Sequence, residues 1–229
     1  MSRAFDVAII GAGMAGASLA AEVAAHASVL ILEAEDQPGY HATGRSAAFW
    51  SETYGGPGVQ PLTTASRPHL DQPPPDFADR PFLSPRGALH LADASGAASL
   101  DRLLAEFRGS SVELRELGRD GLLGLLPTLR SGWDRGVYEP TCADIDVASL
   151  HAAYLRRARR DGARLVTSAR LASAERRGGV WRMATSAGDF EADILVDAAG
   201  AWADEVAAGA GVRPLGIRPY RRTMVQIAT

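Results

Sequence analysis

The chain has 229 residues, enough for one large domain or two small ones with a real core. Its 24 basic residues are all Arg and face 27 acidic ones, for a net charge of −3, which argues against nucleic acid or an anionic membrane surface as a partner. The absence of Lys excludes a Schiff-base lysine, and the single cysteine, Cys142, excludes an intrachain disulfide, a multi-cysteine metal site and a CxxC redox pair. No run is long enough to span a bilayer and no basic n-region precedes Asp6, so the expected location is the cytoplasm.

The stretch Asp6–Glu35 reads as strand, glycine turn, helix, strand. Val7–Ile10 is a short apolar run of the kind buried in a parallel sheet. Gly11, Gly13 and Gly16 then form GxGxxG where the strand turns into a helix. The first glycine permits the tight turn, the second lets a pyrophosphate approach the backbone, and the third lets the helix pack closely on the strand. The N–H groups of Gly13, Met14 and Ala15 sit at the predicted helix N-terminus, where the dipole and unpaired donors favour an anion. A second buried strand, Ser28–Leu32, ends in Glu33, placed to accept hydrogen bonds from ribose hydroxyls and to repel a 2′-phosphate. This context predicts dinucleotide binding but does not choose between FAD and NAD.

Asp36–Glu52 begins with a Pro38-Gly39 turn and continues through a small, polar stretch that includes Arg45 and Ser46. Residues 55–86 are dense in Pro, Gly and Asp and read as an irregular domain crossing. Gly87–Ala92 is predicted as a strand and Ala97–Phe107 as an amphipathic helix. Val112–Leu114 and Gly136–Tyr138 are predicted as short strands. Asp144–Arg160 is helical in pattern and is ended by Gly162. Arg164–Ser168, Arg170–Ala174 and Val180–Thr185 follow as strands, with a hairpin turn at Gly178-Gly179. The buried strand Glu191–Val196 runs into DAAGAWAD, whose Ala198, Ala199 and Gly200 leave room for close backbone approach to a ligand.

These features together resemble the FAD-dependent D-amino-acid oxidase superfamily, which includes glycine oxidase, sarcosine oxidase and D-amino-acid dehydrogenase. The resemblance rests on DVAIIGAGMAGASLA, LILEAE, GRSAAFWSETYG, GARLVTSARL and DILVDAAGAWADEVA, and runs nearly from end to end. It implies FAD as cofactor and hydride removal from a C–N bond of a small amino acid or amine, or in some relatives from a 2-hydroxy acid. It further implies that Gly11, Gly13, Met14, Ala15 and Gly16 hold the pyrophosphate, that Glu33 binds ribose and that Ala34 faces the adenine region. Arg45, Ser46 and Ala47 match the segment passing the pyrophosphate, Leu171 the residue whose backbone meets the adenine, and Ala199 and Gly200 the small-residue turn beside the cofactor.

The expected fold is α/β, with a Rossmann-like FAD domain of residues 1–80 and 144–212. A partial α+β substrate domain, 81–143 and 213–229, interrupts it. Members of this family continue past the point corresponding to Thr229, and the missing part carries the residue that grips a substrate carboxylate. No catalytic residue is therefore assigned, and a non-catalytic FAD-binding fragment remains an alternative. The final segment Arg218–Thr229 reads as an unpaired strand entering the substrate sheet, with self-association as its expected consequence.

Overall fold

The computed structural model describes residues 5–223 and Val225. In chain order the elements are β1 (Phe5–Ile10), α1 (Met14–Val23), β2 (Val29–Leu32), β3 (Phe49–Trp50), α2 (Gln60–Asp71), β4 (Leu83–Pro85), β5 (Ala88–Ala92), α3 (Ala97–Glu106), β6 (Arg115–Gly118), α4 (Arg119–Leu125), β7 (Arg135–Glu139), β8 (Ala143–Ile145), α5 (Val147–Arg160), β9 (Arg164–Val166), β10 (Leu171–Arg177), β11 (Val180–Thr185), β12 (Gly188–Asp197), a 3-10 turn (Gly200–Trp202) and α6 (Ala203–Gly209). The expected α/β class is observed. The chain forms two compact units, one running up to Ala47 and resuming at Val147, the other spanning Ala48–Asp146.

The first unit is built on a six-stranded sheet in the order β10-β11-β12-β1-β2-β9. Its strands β12, β1, β2 and β9 run parallel, while β10, β11 and β12 form an antiparallel meander. The apolar run Val7–Ile10 is buried on both faces, as a central parallel strand requires. On one face, Ala17, Ala20 and Ala21 of α1 pack with Leu155 and Ala158 of α5, and the alanines permit close approach. On the other, Ile10 and Leu32 pack with Met183 and Phe190 from the meander. Helix α5 ends as its sequence predicts. Gly162 adopts φ +101° and the Ala163 N–H donates to the Ala158 carbonyl at 2.8 Å, a left-handed helix stop. The β10–β11 hairpin turns at Gly178 and Gly179, both at positive φ, matching the twist of the flanking strands.

The second unit holds two three-stranded sheets, β3-β8-β4 and β5-β7-β6, all of whose pairings are antiparallel. The region expected to be an irregular crossing contains a twelve-residue helix, α2. Its Pro61 falls in the first turn, where the missing N–H is not needed, and its Pro68 lies inside the helix. Tertiary contacts hold α2: Trp50 Nε1 donates to the Thr63 carbonyl at 2.8 Å, the Arg67 guanidinium lies 4.5 Å over the Trp50 ring, and the Phe82 N–H donates to the Leu70 carbonyl at 2.9 Å. Residues 48–80, read from sequence as part of the nucleotide domain, therefore pack within the second unit. The strand expected at Val112–Leu114 lies a few residues later, at Arg115–Gly118, where β7 offers the pairing partner. Residues 212–223 form neither helix nor strand, and the last residues of the expected C-terminal strand lie outside the described set.

Candidate functional site

The C-terminal end of β1 lies between those of β2 and β12, on either side of the strand that starts the fold. In open α/β sheets this edge is where ligands bind. Gly11, just past β1, adopts φ +101°, and a Cβ there would lie 2.5 Å from the Ala198 carbonyl oxygen. The second small-residue turn thus presses directly on the first, and the Ala198 N–H donates to the Ile10 carbonyl at 2.9 Å. A Cβ on Gly16 would lie 2.0 Å from the Gly11 carbonyl oxygen, so α1 seats against the turn only without a side chain there. Gly13, the N-cap of α1, differs from both. Its Cβ would meet only Thr43 Oγ1, at 3.3 Å. Two glycines are required by the protein's own backbone, whereas the middle one keeps a face clear at the helix N-terminus.

Glu33 is buried and accepts the Ala12 N–H at 2.8 Å and the Glu35 N–H at 3.0 Å. Each carboxylate oxygen retains a second lone-pair position for a hydroxyl donor. Ala34 follows it, half-buried. Met14 opens α1 and its N–H donates to Thr43 Oγ1 at 3.0 Å, while Ala15 is exposed in the first turn. Ala199 donates its N–H to Asp197 Oδ1 at 3.0 Å and shares an apolar cluster with Leu171, Ile10 and Leu32. Gly200 begins the 3-10 turn at φ +58°. Arg45, Ser46 and Ala47 are exposed, with the Arg45 guanidinium 4.5 Å over the Tyr40 ring.

Three polar residues outside the set carried over from the resemblance join this site; Thr43, in the small polar stretch, and His41, as cofactor support or packing, were within reach of the sequence, and His151 was not. Thr43 caps the first helical N–H, as above. His151 of α5 is buried and its Nε2 lies 2.8 Å from the Ala12 carbonyl oxygen, fixing the glycine turn from below. His41 Nε2 pairs with Glu35 Oε1 at 2.9 Å, and its ring lies against Trp202 with centroids 4.4 Å apart and the planes tilted by 51°. Thr43 and His41 lie beside the GRSAA segment already singled out, so their neighbourhood was legible. His151 gave no signal, because its partner is 139 residues away.

The second unit has a cavity of about 260 Å³, lined by Phe49, Ser51, Thr53, Tyr54, His90 and Cys142 among others. Beneath it lies Glu139, fully buried, which accepts Thr53 Oγ1 at 2.7 Å, Ser51 Oγ at 2.9 Å and the Glu52 N–H at 2.7 Å. Burial alone would raise its pKa, but His90, the two hydroxyls and the Glu52 N–H outweigh it and hold the carboxyl below its ordinary range. His90 Nε2 stands 3.8 Å from Glu139 Oε2 and, among the described residues, is a buried side-chain nitrogen with no hydrogen-bond partner. Burial pushes the Cys142 thiol up, with the Glu139 charge adding to it. Among the described residues no group of three or more His, Cys, Asp or Glu side chains could hold a metal ion, and no helix is long and apolar enough to cross a membrane.

Residues 6–229 match the family described as DAO, FAD dependent oxidoreductase. The chain belongs to that family. Glycine oxidase from Geobacillus kaustophilus is 26% identical with a TM-score of 0.81, over 92% of this chain and 59% of that one. L-proline dehydrogenase from P. horikoshii is 19% identical at TM-score 0.79, over 93% and 57%. L-alpha-glycerophosphate oxidase from Mycoplasma pneumoniae, solved with FAD bound, is 16% identical at TM-score 0.77, over 91% and 57%. The chain thus spans somewhat more than half the length of these relatives. Their fold is the α/β architecture found here, and the cofactor is FAD. The donor set fits that group: a clear face at Gly13, a helix N-terminus for phosphate and a buried acid at Glu33.

Proposed function

We propose that this chain is the FAD-binding part, with a share of the substrate domain, of an oxidoreductase that removes hydride from the C–N bond of a small amino acid or amine. The observation that carries this reading is the pair of small-residue turns pressed together at Gly11 and Ala198, with Glu33 buried beside them, in a chain of this family. In it, the first unit is the FAD domain and the second contributes to the substrate domain. Gly11, Gly13, Met14, Ala15 and Gly16 hold the pyrophosphate and Glu33 the ribose. Ala34 and Leu171 flank the adenine, Arg45, Ser46 and Ala47 follow the phosphates towards the flavin, and Ala199 and Gly200 border the cofactor. Bound FAD would supply the hydride acceptor. The protein's own contribution is to orient the cofactor through these backbone groups and to keep water from it, since positioning carries most of such catalysis.

The similarity to glycine oxidase and to L-proline dehydrogenase supports an amine substrate. A C–OH substrate, such as a 2-hydroxy acid, is the second reading, and the glycerophosphate oxidase relative favours it. Anaerobic bleaching of the bound flavin by a panel of D-amino acids, glycine derivatives, L-proline and 2-hydroxy acids tests both. Reduction by amino acids alone supports the first reading and reduction by hydroxy acids alone the second. Self-association through the C-terminal segment belongs to the same proposal and is measured by light scattering.

A further inference from the structure

On β5, Ala88, His90 and Ala92 share one face of the β5-β7-β6 sheet, and β7 sets Glu139 opposite Ala88 and Val137 opposite His90 on that same face. Helix α3 covers one end of the face, where Leu100, Leu103 and Leu104 pack with Ala92 and Val137. The other end opens into the cavity of about 260 Å³, bordered by Ala88 and His90 of the sheet, Leu103 of α3, and Phe49, Ser51 and Tyr54 from β3 and the turn after it, all within the second unit. Phe49 and Tyr54 are 38% and 67% exposed, and their rings meet edge-on with centroids 5.5 Å apart. Two such rings on the wall of a cavity are apolar surface that a ligand would take out of water.

The ions near the cavity are already matched. Glu139 is fully buried beneath it and takes the hydroxyl hydrogens of Ser51 at 2.9 Å and Thr53 at 2.7 Å, so neither hydrogen faces the cavity. His90 likewise has its Nε2 buried, 3.8 Å from Glu139. Arg86 pairs with Asp144 at 3.1 Å and lies 5.6 Å from the Phe49 ring centroid. A carboxylate brought into the cavity would meet the Glu139 charge behind hydroxyls that can only accept. An ammonium or guanidinium would shed its water with Glu139 itself out of reach. A ring or branched alkyl group incurs neither cost. An apolar cavity of about 150 Å³ admits a benzene ring, so this one has room for a phenyl or isobutyl group. We infer that the cavity is the specificity site for the substrate's side chain, and that the side chain it takes is uncharged and apolar, of phenyl or branched-alkyl size. The inference rests on the amino-acid reading of the protein and narrows it, since a glycine-sized substrate leaves the cavity unfilled and forgoes the burial of apolar area.

Benzyl alcohol, benzoate and benzylammonium carry the same ring with no charge, a negative charge and a positive one. Their binding to the full chain is measured by saturation-transfer NMR, without turnover. Benzyl alcohol should bind at least about tenfold tighter than either ion. Ala88→Leu fills the cavity with a longer side chain and should weaken benzyl alcohol at least about tenfold, and Tyr54→Ala, at an exposed position, about three- to tenfold. Circular dichroism melts of both variants separate lost binding from lost structure, and the comparison of probes on the unsubstituted chain needs no variant. In the FAD-loaded chain, anaerobic flavin reduction by phenylalanine and leucine, each enantiomer taken separately, should reach half-saturation at least about tenfold below glycine, arginine and glutamate. Equal binding of the charged and uncharged probes, or benzyl alcohol binding unaltered in Ala88→Leu, would overturn the apolar site. Glycine, arginine or glutamate reducing the flavin as effectively as phenylalanine would overturn the substrate class. Benzyl alcohol held in the cavity while no amino acid or amine reduces the flavin would instead overturn the C–N reading beneath the inference.

Discussion

The Ala12 N–H donates to Glu33 Oε2 at 2.8 Å across 21 residues of chain. The acid at the end of β2 is therefore part of the glycine turn's own hydrogen bonding as well as a candidate ribose ligand. Glu33→Gln should weaken FAD by about 1–2 kcal/mol through loss of a charge-assisted acceptor. A Gln has one acceptor oxygen, so either Ala12 or Glu35 also loses its partner. Titration of the apoprotein with FAD and with NAD measures the effect, and a preference for NAD would contradict the assignment.

The three glycines of the turn should separate binding from folding. Gly13→Val should abolish nucleotide binding with little loss of secondary structure, because its Cβ meets only Thr43 Oγ1. Gly16→Ala should instead destabilise the first unit by about 3 kcal/mol or more, since the Gly11 carbonyl occupies the place its Cβ needs. Thermal melts and FAD titrations on both variants check the contrast. Flavin retained at full affinity in Gly13→Val would place the phosphates elsewhere.

Glu139 should set an acid limit on the second unit. Its folded-state pKa lies below the unfolded value, so its contribution is fully present above about pH 4.3 and is lost as pH falls through the folded pKa. Glu139→Gln should cost about 2–3 kcal/mol at neutral pH, because three donors lose a charged acceptor, and should make stability less dependent on pH below 4.3. Denaturant melts at a series of pH values are the measurement. An unchanged acid limb in the variant would assign the titration to another carboxyl.

Cys142 should behave as an inert core thiol. It is 1% exposed and its pKa is raised, so little thiolate forms and little of it meets solvent. Reaction with a disulfide reagent should be slow in the native chain and fast in denaturant. Rapid native labelling would show that the second unit opens.

The glycine turn, Glu33 and the strand-to-DAAGAW passage were legible because each is a local pattern: a period of apolar residues, a residue without a Cβ, an acid at a strand end. The Gly178-Gly179 hairpin and the Gly162 helix stop were legible for the same reason, since positive φ narrows the choice of residue at a single position. Helix α2 was hidden behind its prolines, and it is held by tertiary contacts, among them Trp50 with Thr63 and Arg67 and the Phe82–Leu70 hydrogen bond. The placement of residues 48–80 with the second unit follows from those same contacts. His151 under Ala12, Trp202 against His41 and the three donors on Glu139 join residues that lie far apart in the chain. Such pairings carry no periodicity and no spacing rule. The local chemistry of the turn was thus determined by the sequence alone. Which distant side chains steady it was decided by the order of strands in the sheet, which brings β12 and the segment after β2 to the same end of β1.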